Sequence, residues 1–93
     1  MASRSADTLE ALPGLGPKSA AWLRGVGIGS PAQLRQLGAV RAFHRVQIAG
    51  LQPSLNLLWA LEGALTGTPW RTVARTERTR LLLALDDLQR PPA

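Results

Sequence analysis

The sequence predicts an all-α fold, a small bundle of about six helices built around one tight hairpin. Three observations carry that expectation. Apolar residues recur three and four apart, as in Leu9/Leu12, Leu34/Leu37 and Leu81/Leu85/Leu88, which places them on one helix face. Glycine and proline clusters cut the chain into short segments. The stretch from Pro53 to Thr66 is apolar nearly all round a helical wheel, the mark of a helix buried on most sides. The 93 residues suffice for one domain with one core, spanning 1–93 with loose tails at 1–5 and 90–93.

Taken in order, a first helix is expected to start near Ser5 or Asp7, either of which can cap it, and to end at Leu12. Pro13 stops it, having no amide donor and restricting its predecessor. Gly14 and Gly16 open backbone angles closed to other residues. Pro17 suits the first position of a second helix, running to Gly25. Ser30 can cap a third helix, Pro31 fits its first position, and Gln33 can reach back to complete a capping box. That helix closes at Gly38, and a fourth follows over Ala39–Ala49. It carries Arg41, His44, Arg45 and Ile48 on one face and Val40, Phe43 and Val46 on another. The fifth, Pro53 to Thr66, is expected to be wrapped by the others or to complete its burial in a homodimer. Glu62 should pair with an arginine at its edge, and mid-helix Gly63 costs about 1 kcal/mol against alanine unless it permits close packing. Gly67-Thr68-Pro69 is a turn, Trp70 is expected to fold back on the core, and a last helix runs from about Arg75 to Leu88. Arg75, Arg78 and Arg80 at its start and Asp86 and Asp87 near its end oppose the helix dipole.

Leu12-Pro13-Gly14-Leu15-Gly16-Pro17-Lys18-Ser19-Ala20 resembles a helix-hairpin-helix motif: two spaced glycines, an apolar residue between them, a basic residue and a small alanine. The resemblance implies a hairpin lying against a nucleic-acid backbone and reading no sequence. Physical chemistry runs the same way. Bare glycines admit a phosphate to the main chain, the first amides of the next helix are unsatisfied and partly positive, and Lys18 can add a charge-assisted contact. The candidate nucleic-acid contacts are therefore Gly14, Leu15, Gly16, Lys18 and Ser19, with Arg24, Arg41 and Arg45 extending a basic surface. Against this stand two plainer readings: such a hairpin often only joins packed helices, and arginines on a helix face are usually just solvated.

Composition narrows the classes. Eleven basic against six acidic residues give a net charge of +5, which draws a chain to nucleic acid or acidic surfaces. Ten of the eleven are arginine, which a coding bias also produces. There is no cysteine, so no disulfide, thiolate metal site or cysteine nucleophile is expected, and the lone His44 has no second ligand for a metal. No signal peptide follows Met1, and the apolar run from Leu55 to Leu65 is far short of the ~20 residues that span a bilayer. The expectation is a soluble cytoplasmic protein without membrane, metal or cofactor. No nucleophile–base set, paired carboxylates or phosphate-binding loop points to an enzyme.

From Thr8 to Leu88 the chain is similar to the C-terminal domain of the TfoX/Sxy family, bacterial regulators of competence for DNA uptake. The residues that carry this are Leu12 to Ala20, Val26-Gly27-Ile28, Leu37-Gly38-Ala39-Val40, the stretch Pro53 to Leu65, and Trp70. The resemblance implies an all-helical domain of the helix-hairpin-helix group in a regulatory or binding role. Full-length members carry an N-terminal α/β domain, so this chain is expected to be a stand-alone version. Two functions follow: a non-enzymatic module contacting DNA through the Gly14–Lys18 hairpin, or a protein-interaction module that self-associates or docks on another regulator.

Overall fold

The computed structural model describes residues 8–90. Among these the chain forms a single 3-10 turn, Leu9–Ala11, and six α-helices with no strand: α1 Pro17–Gly25, α2 Pro31–Leu37, α3 Ala39–Ile48, α4 Leu55–Thr66, α5 Trp70–Thr76 and α6 Arg78–Gln89. The all-α expectation holds, and the start of α1 and the bounds of α2 are those read from Pro17, Ser30 and Gly38.

Local chemistry explains each boundary. Helix α1 closes in a Schellman arrangement: the Ile28 amide donates to the Leu23 carbonyl at 2.9 Å and the Gly27 amide to Arg24 at 3.1 Å, which swings Ile28 into the core at 1% exposure. At α2 the Ser30 hydroxyl accepts from the Gln33 amide at 3.2 Å. Gln33 reaches back one residue further than a capping box requires, its side-chain oxygen accepting from the Gly29 amide at 2.6 Å.

Helices α3 and α4 lie at the centre. Helix α4 packs on α3 and α5, α6 on α3 and α5, and α1 on α3 and the 3-10 turn. Phe43, Val46, Leu58 and Leu61 form the middle of the core, with Leu9, Leu23, Leu34, Val73 and Leu81 closing it from the other elements. Each such side chain contributes roughly 1.5–3 kcal/mol by leaving water. Within one chain α4 is wrapped on most sides, with Leu58 and Trp59 at 0% and 3% exposure, while Leu55 at its start stays exposed. Gly63 permits close approach by the turn that follows α4 and by the start of α5. The Thr68 amide donates to the Gly63 carbonyl at 3.0 Å, and a Cβ on Gly63 would run into the Thr68 carbonyl oxygen.

Three expectations are corrected. The described part of the first helix is only the 3-10 turn, because Thr8 is extended at φ −93°, ψ 151° and Leu12 at φ −75°, ψ 133° on its two sides. Its proposed start at Ser5 or Asp7 lies outside the described residues, as do the tails at 1–5 and 91–93; Arg90 itself is tied to α6, donating to Asp86. The last helix is two helices, broken at Glu77, which sits at φ −113°, ψ 3°. That break places Arg75 in the last turn of α5, where the dipole favours a cation. Trp70 does not fold back on the core. It opens α5 at 39% exposure, and Val73 is the residue of α5 that is buried.

Candidate functional site

Leu12-Pro13-Gly14-Leu15 forms a β-turn. The Leu15 amide donates to the Leu12 carbonyl at 3.2 Å, proline holds the second position, and Gly14 holds the third at φ +85°. That is the signature of a type II turn, whose third position is closed to most side chains. Leu15 then plugs into the core at 5% exposure, so it anchors the turn and offers no side chain to a ligand. Gly16 is extended at φ −91°, ψ 178° and precedes α1 with no side chain to cap it.

The consequence is a set of open donors. The amides of Gly14, Gly16, Lys18 and Ser19 make no hydrogen bond among the described residues, while Ala20 donates back to Gly16 at 3.0 Å. These amides stand at the positive end of α1, whose first turn also carries Lys18. One of the bend's three nitrogens, Leu15, is taken by the protein's own carbonyl; the other two stay open.

Gly14, Lys18 and Ser19 border a groove of about 480 Å³ between α1 and α4. Its other walls are Trp22, Gln52, Ser54, Asn56, Leu57, Ala60 and Trp70. A second hollow of about 220 Å³ continues past Gly14 and Trp70 towards Gly67. Among the described residues no carboxylate lines either one. Lys18 Nζ lies 5.1 Å from the centre of the Trp22 ring, and the Arg71 guanidinium lies 5.3 Å from that of Trp70. Gln52 holds a positive φ of 53°, uncommon for a residue with a side chain, at the rim of the groove.

The arginines named from sequence are not brought to this groove. Arg24 is half-exposed and clasped by Glu10, to which it donates two hydrogen bonds of 2.5 and 2.9 Å. Those bonds pull the Glu10 carboxyl down to about 2 and push the Arg24 guanidinium up. Arg45 borders a hollow with Gly27, Gln33 and Gln36, and Arg41 one with Gly38, Glu62 and Arg80. Glu62 accepts from Arg80 at 2.8 Å, the edge pairing expected for it. His44 lines none of these hollows with Glu62. Among the described residues no three of His, Asp or Glu come together as metal ligands.

Sequence reasoning missed Trp22, Gln52, Asn56 and Trp70 as groove residues. Trp22 was legible, standing one helical turn after Lys18. Trp70 was not, because an indole beside a turn is more often buried.

No helix among the described residues is long and apolar enough to cross a membrane. No curated protein and no solved structure matches the chain. One family model does, that of the TfoX C-terminal domain, over residues 5–85. With the match spanning most of the 93 residues and the all-helical fold as the resemblance implies, the chain belongs to the TfoX C-terminal domain family.

Proposed function

We propose that this domain is a non-enzymatic, cytoplasmic regulatory module that contacts a DNA backbone through the turn at Gly14–Ser19, independently of sequence. Membership of a family of regulatory domains supports the regulatory part. The observation that carries the DNA part is the group of open amides at Gly14, Gly16, Lys18 and Ser19, with Lys18 itself in the first turn of α1. A phosphate satisfies several such donors at once and meets the helix dipole with the favoured sign. The net charge of +5 adds a general attraction. Few phosphates are neutralised by one such turn, so binding is weak and falls steeply with salt. A mobility-shift titration of a DNA duplex at low and high salt tests this. The wild type shifts the duplex at low salt, and Lys18→Glu loses the shift. Equal and undetectable binding by both proteins removes the reading.

A second reading has one observation in its favour. Ile48, Leu51 and Leu55 are exposed at 71%, 37% and 36% on the connection from α3 to α4. Exposed apolar side chains of this kind suit a protein partner, either a second copy or another regulator. Sedimentation at increasing concentration separates the two readings: a stable dimer that Ile48→Glu dissolves favours the second.

A further inference from the structure

We infer that the groove between α1 and α4 takes an unpaired nucleobase, so that the preferred ligand is a single strand of nucleic acid and not a duplex. The inference rests on the backbone contact proposed above and adds what lies next to it. A turn that only touches phosphates needs no tryptophan. Here Trp22 and Trp70 both line the hollow that begins at Gly14 and Lys18. Trp70 keeps 39% of its surface accessible, so its indole is open to a ligand from the groove.

The chemistry around the two rings is of one kind. Each carries a cation over its ring, Lys18 at 5.1 Å and Arg71 at 5.3 Å. Aromatic faces interleaved with cations are how proteins hold single strands: bases stack on the rings while the charges follow the phosphates. The rim adds the side-chain amides of Asn56 and Gln52, each with donors and an acceptor, and neither makes a side-chain hydrogen bond among the described residues. Such groups can meet the edge of any base. No carboxylate of the described residues lines either hollow, which suits an anionic strand, and the adjoining hollow past Gly14 and Trp70 gives the strand a path onward. A duplex cannot use this groove, because its bases are stacked and paired.

The test is a fluorescence titration with a thymidine dodecamer and with a hairpin duplex of the same length. Trp22 and Trp70 report on the groove, while the buried Trp59 adds a constant background. The single strand is expected to quench the emission saturably and to bind at least fivefold more tightly than the duplex. Trp70→Ala should weaken single-strand binding roughly 5- to 100-fold and leave duplex binding unchanged. Trp70→Phe, which keeps a ring and guards against a folding defect, should stay close to the wild type. Lys18→Glu should weaken both ligands. If the duplex binds as well as the single strand and Trp70→Ala changes neither, the base-binding inference falls while the backbone reading stands. If neither ligand binds, both fall. If the emission changes only with protein concentration, the groove serves a second copy and the inference is overturned.

Discussion

Helix α1 begins at Pro17 after Gly16 and helix α2 at Pro31 after Ser30, so both have proline in the first position. They are finished differently. At α2 the Ser30 hydroxyl accepts from the Gln33 amide and the Gln33 side chain accepts from Gly29, so both a helix donor and a loop donor are satisfied. At α1 the residue before the proline has no side chain, and the Lys18 and Ser19 amides stay open. Unsatisfied first-turn amides are a cost that most helices avoid with a cap worth about 1 kcal/mol. The chain accepts that cost at one start and removes it at the other. The open start is the one beside Trp22, Trp70 and Asn56. Helices α3 to α6 also start without a side-chain cap, so what sets the α1 start apart is the groove that its open donors border.

Substitutions can break this contrast from either side. The largest stability effect is expected at the turn that presents α1. Gly14 holds φ +85° with open space around it, so Gly14→Ala meets backbone strain and not a clash. Loss of about 1–2 kcal/mol in urea unfolding is expected, with weaker DNA binding as the turn relaxes. An unchanged midpoint would mean that the turn does not hold the amides in place.

The next test makes α1 resemble α2. Gly16 has ordinary extended angles and no atom within 4 Å of a Cβ, so a side chain fits. Gly16→Asp should cap the Ser19 amide and raise stability by a few tenths to about 1 kcal/mol. The same carboxylate occupies the anion's place, so DNA affinity should fall about tenfold, or ~1.4 kcal/mol. Gly16→Ser separates cap from charge and should fall between the two. Stabilisation with unchanged affinity would sink the open-amide site.

The converse substitution makes α2 resemble α1. Ser30→Ala should cost about 1 kcal/mol in thermal or urea unfolding. DNA affinity should not change, since a helix of seven residues with no groove of indoles beside it presents no comparable site. A drop in affinity would show that binding follows general stability and not the start of α1.

The same contrast explains what could be read from the sequence. The ends of α1 and α2 were legible because glycine, serine and proline specify them by local chemistry. The open amides were legible too, since Gly16 cannot cap and Pro17 fixes the helix start. The break at Glu77 was not, because no glycine or proline marks it; the two helices meet where the Glu77 amide donates to Val73 and the Glu77 carbonyl accepts from Leu81. Missing that break hid α5, and with it the exposure of Trp70. The groove is a tertiary product of α1, α4 and α5, and spacing along one helix does not reveal it. Arg24, Arg41 and Arg45 lie away from the groove, which charge along a sequence does not show, and Arg24 is engaged by the Glu10 carboxylate.

The smallest effect concerns Arg24, whose clasp with Glu10 ties the 3-10 turn to the last turn of α1. Folding lowers the Glu10 carboxyl from its ordinary 4.5 to about 2, mainly through the hydrogen bonds from Arg24. A lowered carboxylate contributes stability that is present above pH 4.5 and lost as the pH falls towards about 2. The pair is exposed, so solvent screens it and the contribution is slight. Glu10→Gln should flatten the stability profile across that window. It should also release the Arg24 guanidinium, and this decides whether Arg24 belongs to the binding surface. If it does, the variant should bind DNA roughly two- to threefold more tightly at low salt, with a steeper salt dependence as one more phosphate is neutralised. If affinity and salt slope both stay at the wild-type value, Arg24 serves only to hold the two arms of the turn together, and the interface ends at Lys18 and the groove beyond it.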